Sequence, residues 1–313
     1  MIKDRLFIFL CFLGAAFIPM LCFAETGEET SPPETLSLYL AETEEIIRLS
    51  WEDYLTGCLS AQIPLDYEQE ALNAQASAAM TYALRLMADL KGNGEIPDGA
   101  DLSDDSRICQ PYYTPEKCTE IYGDSYEEYL PCLKIAAQYG RNHVITYENE
   151  PIYAVYHSVS AGKTNSAHGI WGRDFDYLAS VESGWDKSYI NYECVNEMTA
   201  EQARLCLVNY EDGIETPADY SRWFSEFNAD ENGYVISVKI GDNLFSGGDI
   251  WRIFGLRSTA FTVEYRSGVF LFTTKGYGHG AGLSQYGANE MARTGKTAEE
   301  ILRHYYGVAV EIE

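Results

Sequence analysis

Apolar residues recur along Glu68–Lys91 at alternating steps of four and three: Leu72, Ala76, Ala79, Ala83, Leu86 and Leu90. That spacing lines one stripe of an α-helix. Asp66 is the candidate N-cap and Gly92-Asn93-Gly94 the stop. Alanine fills much of the stripe, so another element can approach closely. A second helix is marked near the C-terminus by Thr297 as N-cap, Glu300 as its capping-box partner, and Ile301, Leu302 and Tyr305 on one face. Shorter helices are expected over Pro131–Tyr139, with proline in the first turn, and from Thr199 to about Val208. Strand patterns begin near Ile46, Ile47 and Leu49. They recur at Val144–Tyr147 and Ile152–Tyr156 around a turn at Glu148–Pro151, then at Tyr234–Ile240, Thr262–Tyr265 and Val269–Thr274. No repeat is present. The mixture predicts an α+β fold with mostly antiparallel hairpins.

The last strand runs into Gly276–Gly287, twelve residues with five glycines, holding Tyr277, His279, Ser284, Gln285 and Tyr286. Glycine at that density marks a backbone that turns tightly or approaches something closely. A polar glycine loop held against a short helix suits the wall of a groove. A second polar segment, His157-Ser158-Val159-Ser160-Ala161-Gly162-Lys163-Thr164, follows a strand. It is not a phosphate loop, because His157 stands where the first glycine belongs and no helix pattern follows. Neighbours on a strand point to opposite faces, so His157 and Ser158 do not form a nucleophile–base pair. His157 and Ser160 read as hydrogen-bonding residues at a strand end. Beyond them Trp171, Asp174, Glu182, Trp185 and Asp186 place two tryptophans beside carboxylates. Such a set either forms a sugar subsite or anchors a loop.

Composition narrows the partners. The 313 residues carry a formal charge of −26, which argues against nucleic acid, because phosphate binding needs clustered Lys and Arg. The 24 tyrosines supply flat rings with a polar edge, suited to stacking on sugars or to an extracellular surface. Lys3 and Arg5 precede an uncharged apolar run, Leu6–Ala24, and an acidic stretch follows. This is an export signal, either cleaved or kept as a membrane anchor. Residues 25–44 read as a tether and 45–313 as the folded part, with an acidic excursion at about 92–130 and a smaller subdomain at about 187–250. Outside the signal are Cys58, Cys109, Cys118, Cys132, Cys194 and Cys206. Cys109 with Cys118 and Cys194 with Cys206 are the near-neighbour pairings expected of an exported chain.

Five blocks carry a resemblance: EALNAQASAAMTYAL (70–84), PIYAVYHSVSAGKT (151–164), WGRDFDYLASVESGWD (171–186), GLRSTAF (255–261) and GYGHGAGLSQYGANEMA (276–292). In this order, over about residues 45–313, the chain resembles the stage II sporulation protein D family, which includes proteins described as enhancers of a cell-wall amidase. The resemblance implies an exported protein acting on peptidoglycan during sporulation. It further implies a lytic transglycosylase that cuts peptide-stripped glycan strands. In that chemistry one carboxyl group protonates the leaving oxygen, then as base helps the muramic primary hydroxyl close an anhydro ring. His157, Ser158, Ser160, Trp171, Glu182, His279, Ser284, Gln285 and Tyr286 would line the substrate groove.

This sequence departs from the family pattern where it matters. The family usually reads Ser-Glu-Met-Pro ahead of the Ala-rich helix, and its glutamate is taken as the acid. Here Ser60-Ala61-Gln62-Ile63-Pro64 puts Gln62 at that position, and an amide neither gives nor takes a proton at working pH. Glu70 is the substitute acid if it faces the groove; otherwise it complements the dipole of its own helix. Some members bind zinc through one His and two Cys. Cys109 matches the last ligand, but Ser103 stands at the earlier Cys position and no His is present there, so no metal and no cofactor is expected. Two functions remain open: a glycan-processing enzyme with weakened or lost catalysis, or a non-catalytic glycan-binding module or amidase enhancer. The expected partners are peptidoglycan glycan strands and other sporulation cell-wall proteins or an amidase. The membrane enters only through the N-terminal segment.

Overall fold

The long Ala-rich helix is the centre of the molecule. In the computed structural model, which describes residues 33–210 and 214–313, it spans Gln69–Leu90. The export segment, residues 1–24, lies outside the described residues. The alternating stripe predicts one buried face, yet every residue from Ala71 to Ala83 is buried. Other elements cover the remaining faces. At one of them a Cβ on Gly140 would lie 2.5 Å from the Ala76 carbonyl carbon, so only glycine opposite alanine permits the approach.

In chain order the elements begin with strands β1 (Thr35–Leu40) and β2 (Glu45–Ser50), helices α1 (Trp51–Gln62) and α2 (Gln69–Leu90), and strand β3 (Leu102–Ser103). Helices α3 (Pro115–Tyr122) and α4 (Ser125–Arg141), strands β4 (Ile145–Tyr147), β5 (Glu150–Pro151) and β6 (Tyr156–His157), and helix α5 (Ala167–Trp171) follow. Next come β7 (Glu193–Thr199), α6 (Ala200–Tyr210), β8 (Phe224–Ala229), β9 (Val235–Ile240), β10 (Asn243–Ser246) and α7 (Gly247–Ile253). The chain closes with β11 (Phe261–Arg266), β12 (Val269–Lys275), β13 (Leu283–Ser284), α8 (Gln285–Arg293), α9 (Ala298–Tyr306) and β14 (Glu311–Ile312). The α+β class is as expected, and the larger sheets are antiparallel hairpins.

The first core packs β1, α1, α2, α8 and α9 together, with a satellite under α3 and α4. The second core packs α6, α7 and β9 against β11 and β12, with Trp223 at its centre. The second core therefore extends to Phe272, beyond the subdomain expected at about 187–250. The expected tether also ends early: β1 lies within it, pairs with β2 from Thr35↔Ser50 to Leu40↔Glu45, and buries Leu36, Leu38 and Leu40.

Several local expectations change for identifiable reasons. Trp51–Gln62 is a helix capped by Ser50, whose hydroxyl accepts from Asp53 N–H. Gly57 inside it masks the pattern. It is glycine because a Cβ would lie 2.1 Å from the Tyr112 ring and 2.7 Å from the Tyr113 carbonyl. Pro131 is interior to α4 rather than in its first turn. The excursion at 92–130 is built into the core through β3, which pairs in parallel with β1, and through Tyr112, Cys118 and Tyr126. The 144–156 hairpin is short. Glu148 and Asn149 turn it with φ of 52° and 65°, and only Glu150–Pro151 return alongside β4. The capping box at Thr297 and Glu300 is present as read.

Neither expected cysteine pair forms: all six cysteines outside the signal are free. Cys109 belongs to the main core and Cys118 to the satellite, which separates the first pair. Cys194 lies on β7, with its thiol toward Asn196, while Cys206 lies on α6. Among the described residues no helix is long and apolar enough to cross a membrane.

Candidate functional site

Parallel pairing of β6 with β13 brings the two polar segments side by side, with Leu283 opposite Tyr156 and Ser284 opposite His157. A bridge between Val159 and Tyr277 extends the contact. The glycines permit it. Gly278 has φ of 104° and a Cβ there would lie 2.9 Å from the His157 Cβ. At Gly282, φ is 67° and the added atom would lie 2.0 Å from the Val155 carbonyl oxygen. The glycine density therefore serves a close approach of backbone to backbone, where L-residues would clash.

His157 and His279 meet edge to face with ring centres 5.7 Å apart, and Trp171 at the end of α5 lies 5.5 Å from His279. One backbone residue sets both imidazoles. The Ala281 carbonyl accepts from His157 Nδ1 at 3.0 Å, and the Ala281 N–H donates to His279 Nδ1 at 3.2 Å. Burial pushes His157 down to about 3, helped by the neighbouring His279, and pushes His279 down to about 4. Both rings are thus neutral near pH 7. His157 Nε2 is buried with no partner, an acceptor without a proton.

Ser160 and Ser284 converge on Asp186, which no surface reaches (0 % exposed). The carboxylate accepts from the Ser160 N–H at 2.8 Å, from the Ser160 hydroxyl, and from the Ser284 hydroxyl at 2.9 Å. Ser284 Oγ also caps α8 by accepting from Gly287 N–H at 3.2 Å. Desolvation pushes Asp186 up to about 6 against these hydrogen bonds. Asp186 stood in the sequence only as one polar member of a loop. Its carboxyl in a Trp-Asp dipeptide, with serines in both paired segments, was the available signal.

Gln62, at the position where the resemblance led to the expectation of an acid, lies at the C-terminal end of α1. Gln62 is half-buried and its side chain is fixed at both ends. Its Nε2 donates to the Pro111 carbonyl at 3.1 Å, and its Oε1 accepts from the Tyr156 hydroxyl. The same hydroxyl lies 2.5 Å from Gln110 Oε1, so one phenolic proton faces two amide oxygens. Gln110 is itself anchored, its Nε2 donating to the Ala79 carbonyl at 2.9 Å. Gln285, the first residue of α8, donates to the Gln62 backbone carbonyl at 3.0 Å and to buried Gln75 at 3.3 Å. Gln62 and Gln285 are therefore joined directly. Tyr286 beside them donates its N–H to the Ser158 carbonyl at 3.0 Å and packs edge-on against Tyr189 at 5.1 Å.

Two candidate carboxylates are placed elsewhere. Glu70 Oε2 accepts from the Ala298 N–H at 2.7 Å, at the first residue of α9, so it serves a helix N-terminus in another part of the chain. Glu182 is 79 % exposed, 3.8 Å from Lys163, and its backbone carbonyl is engaged by His304. Ser103 and Cys109 do meet, the Ser103 N–H donating to Cys109 Sγ at 3.4 Å. Among the described residues no three His, Cys, Asp or Glu are grouped to hold a metal ion.

The family model described as "Stage II sporulation protein" matches residues 39–147. The stage II sporulation protein D of Bacillus subtilis (strain 168) is 32 % identical over 286 residues, 90 % of this chain and 81 % of that protein. The chain belongs to the stage II sporulation protein D family. A protein of the same description from Bacillus amyloliquefaciens is 32 % identical over 88 % of this chain and 77 % of its own length. A more distant relative, the "Amidase enhancer" of Bacillus subtilis (strain 168), is 23 % identical over 80 % of this chain but 39 % of its own length. The family model covers α1, α2 and β4, and so includes Gln62, whereas the His157, Asp186 and His279 segments lie outside it.

Proposed function

We propose that this protein is an exported sporulation member of its family that recognises peptidoglycan glycan strands without cutting them. The observation that carries this reading is the state of Gln62. Among the described residues its hydrogen-bond partners are Tyr156, Pro111 and Gln285, and none is a carboxylate. Protonating a glycosidic oxygen needs an acid at that point, and the amide supplies none. Glu70 and Glu182 are engaged away from it, and Asp186 is sealed from solvent. What remains suits recognition: Trp171 and Tyr286 are half-buried rings that reach solvent, Trp171 backed by the buried His279 imidazole and Tyr286 packed on Tyr189. Flat rings with polar edges stack on sugar faces and leave hydroxyls to be hydrogen-bonded. The function follows as occupation of peptide-stripped glycan, alongside a cell-wall amidase or other sporulation wall proteins. Residues 1–24 would either anchor the protein outside the cytoplasm or be removed on export.

The test is co-sedimentation of residues 25–313 with purified peptide-free glycan strands. The expected result is binding that Tyr286→Ala and Trp171→Ala each weaken about tenfold, the scale of one stacked anchor. Unaltered binding in both variants would move the glycan surface elsewhere.

A further inference from the structure

Three groups of buried polar atoms are left unused by the glycan reading: the Gln75 amide, the Tyr156 network and the Asp186 carboxylate. Only Asp186 touches both segments that carry the candidate site. Its Oδ2 holds Ser160, three residues after His157, and its Oδ1 holds Ser284, five after His279. Ser160 passes the constraint on, since its Oγ accepts from Gly162 N–H at 3.1 Å. Ser284 passes it to α8, whose next residues are Gln285 and Tyr286. The packing around the carboxylate leaves no slack. A Cβ at Gly287 would lie 3.1 Å from Asp186 Oδ1, 2.6 Å from Ser183 Oγ and 2.1 Å from the Tyr305 hydroxyl.

We propose that Asp186 is a positioning residue of the glycan site: through Ser160 and Ser284 it locks the His157 segment to the His279 loop and α8, and its ionised form is the binding-competent one. This inference rests on the glycan-recognition reading above. The titratable groups facing the carboxylate are Tyr67, Tyr192, Tyr234 and Tyr305, and burial raises each phenol, so all stay neutral through the physiological range. Lys187 follows in sequence, but its stem lies over Gly162. His157 and His279, pushed down to about 3 and about 4, are also neutral there. The carboxylate is therefore the group at this junction that changes charge near pH 6. As an anion it accepts from all three donors. Once protonated, the oxygen facing Ser284 becomes a donor, and the charge-assisted contacts to Ser160 and Ser284 are replaced by weaker neutral ones.

A merely structural carboxylate and a positioning one give opposite pH trends. Ionising a desolvated acid weakens the fold as pH rises, whereas the proposed lock strengthens glycan binding as pH rises. The experiment measures glycan affinity from about pH 4.5 to about pH 8 for wild type and Asp186→Asn, with thermal unfolding recorded on the same samples. Wild-type affinity is expected to rise about tenfold through about pH 6, the order set by one charge-assisted hydrogen bond. Asp186→Asn can keep Oδ1 toward Ser160 and donate Nδ2 to Ser284, so it folds. It is expected to bind at the low-pH affinity throughout, with a flat profile. Equal pH profiles in the two proteins would overturn the positioning role while leaving glycan recognition standing. A ligand-free arm separates the two claims. The imidazole NMR resonances of His157 and His279 should shift through about pH 6 in wild type and not in Asp186→Asn. Static resonances in both would overturn the coupling. Shifting resonances without glycan binding at any pH would overturn the glycan reading.

Discussion

Replacing Gln62 by glutamate tests whether this site is shaped around a neutral group. The wild-type amide donates to the Pro111 carbonyl at 3.1 Å and accepts from Tyr156. In the Gln62→Glu variant a protonated carboxyl can reproduce both contacts. Its single O–H donates to the Pro111 carbonyl while its carbonyl oxygen accepts from Tyr156. Once ionised, the introduced carboxylate can only accept. It would set an anionic oxygen against the Pro111 carbonyl in a half-buried position, where none of the partners of Gln62 is a cation. Losing one hydrogen bond to a neutral partner costs about 1 kcal/mol, and leaving that acceptor facing an anion adds a comparable amount. The total, about 1.5–3 kcal/mol, raises the pKa of the introduced carboxyl by about one to two units above the ordinary glutamate value near 4.3. The folded state then holds the proton to higher pH than the unfolded state, so the stability of Gln62→Glu relative to wild type falls as pH rises. The two proteins should differ by less than about 1 kcal/mol near pH 4, and by the full amount above about pH 6.5. Urea unfolding across this range measures the difference, and any contribution from Asp186 cancels because both proteins carry it. A difference that stays constant with pH, or that favours the variant as pH rises, would refute the reasoning, since it would mean that the site accepts an anion at no cost.

Other substitutions probe the framework. Asp186, pushed up to about 6 from an ordinary value near 3.9, should make wild type lose about 3 kcal/mol of stability as pH rises from about 3 to about 7, most of it between about 4 and about 6; Asp186→Asn should remove that slope in thermal melts. Gly57→Ala gains about 1 kcal/mol in helix propensity but drives a methyl toward the Tyr112 ring and the Tyr113 carbonyl; overpacking of about 2–3 kcal/mol wins, and urea titration should show a net loss. Glu70→Ala should cost about 1 kcal/mol by removing the acceptor of the Ala298 N–H, while leaving glycan affinity within about twofold; a larger loss of affinity would return Glu70 to the site.

Long-period features were the legible part of the sequence. The body of the Gln69–Leu90 helix, the Thr297 capping box and the β11–β12 hairpin follow from local pattern and stand where it puts them, although Glu68 rather than Asp66 occupies the N-cap of the long helix, with no side-chain cap hydrogen bond. The α1 helix was hidden because Gly57 answers to Tyr112, a residue distant in sequence that no local window contains. The stripe on α2 understated its burial for a related reason. Asn73, Gln75, Ser77 and Thr81 look solvent-facing, yet α8, β4 and neighbouring segments cover them, and Gln75 and Thr81 meet Gln285 and Ile145 there. In the site, the glycine loop and the His157 segment were each recognisable, but their parallel pairing was not, since both strands are only two residues long. Asp186 was visible as a residue and invisible as a hub, because its partners come from two remote segments. Glu70 shows the reverse case. Its place in the first turn of a helix fitted a dipole role or an acid, and its actual partner is the N-terminus of a different helix.

The central claim is recognition without cleavage, and a single digestion tests it most directly. Purified peptide-free glycan strands are incubated with residues 25–313, in parallel with Gln62→Glu, and products are scored for anhydro-muramic ends by mass spectrometry. The account predicts that wild type binds the strands and leaves no new ends, while Gln62→Glu, assayed at about pH 5 where its carboxyl between Pro111 and Tyr156 is still protonated, produces them. New anhydro ends from the wild-type protein would contradict the account and assign the chemistry to a carboxyl group other than residue 62.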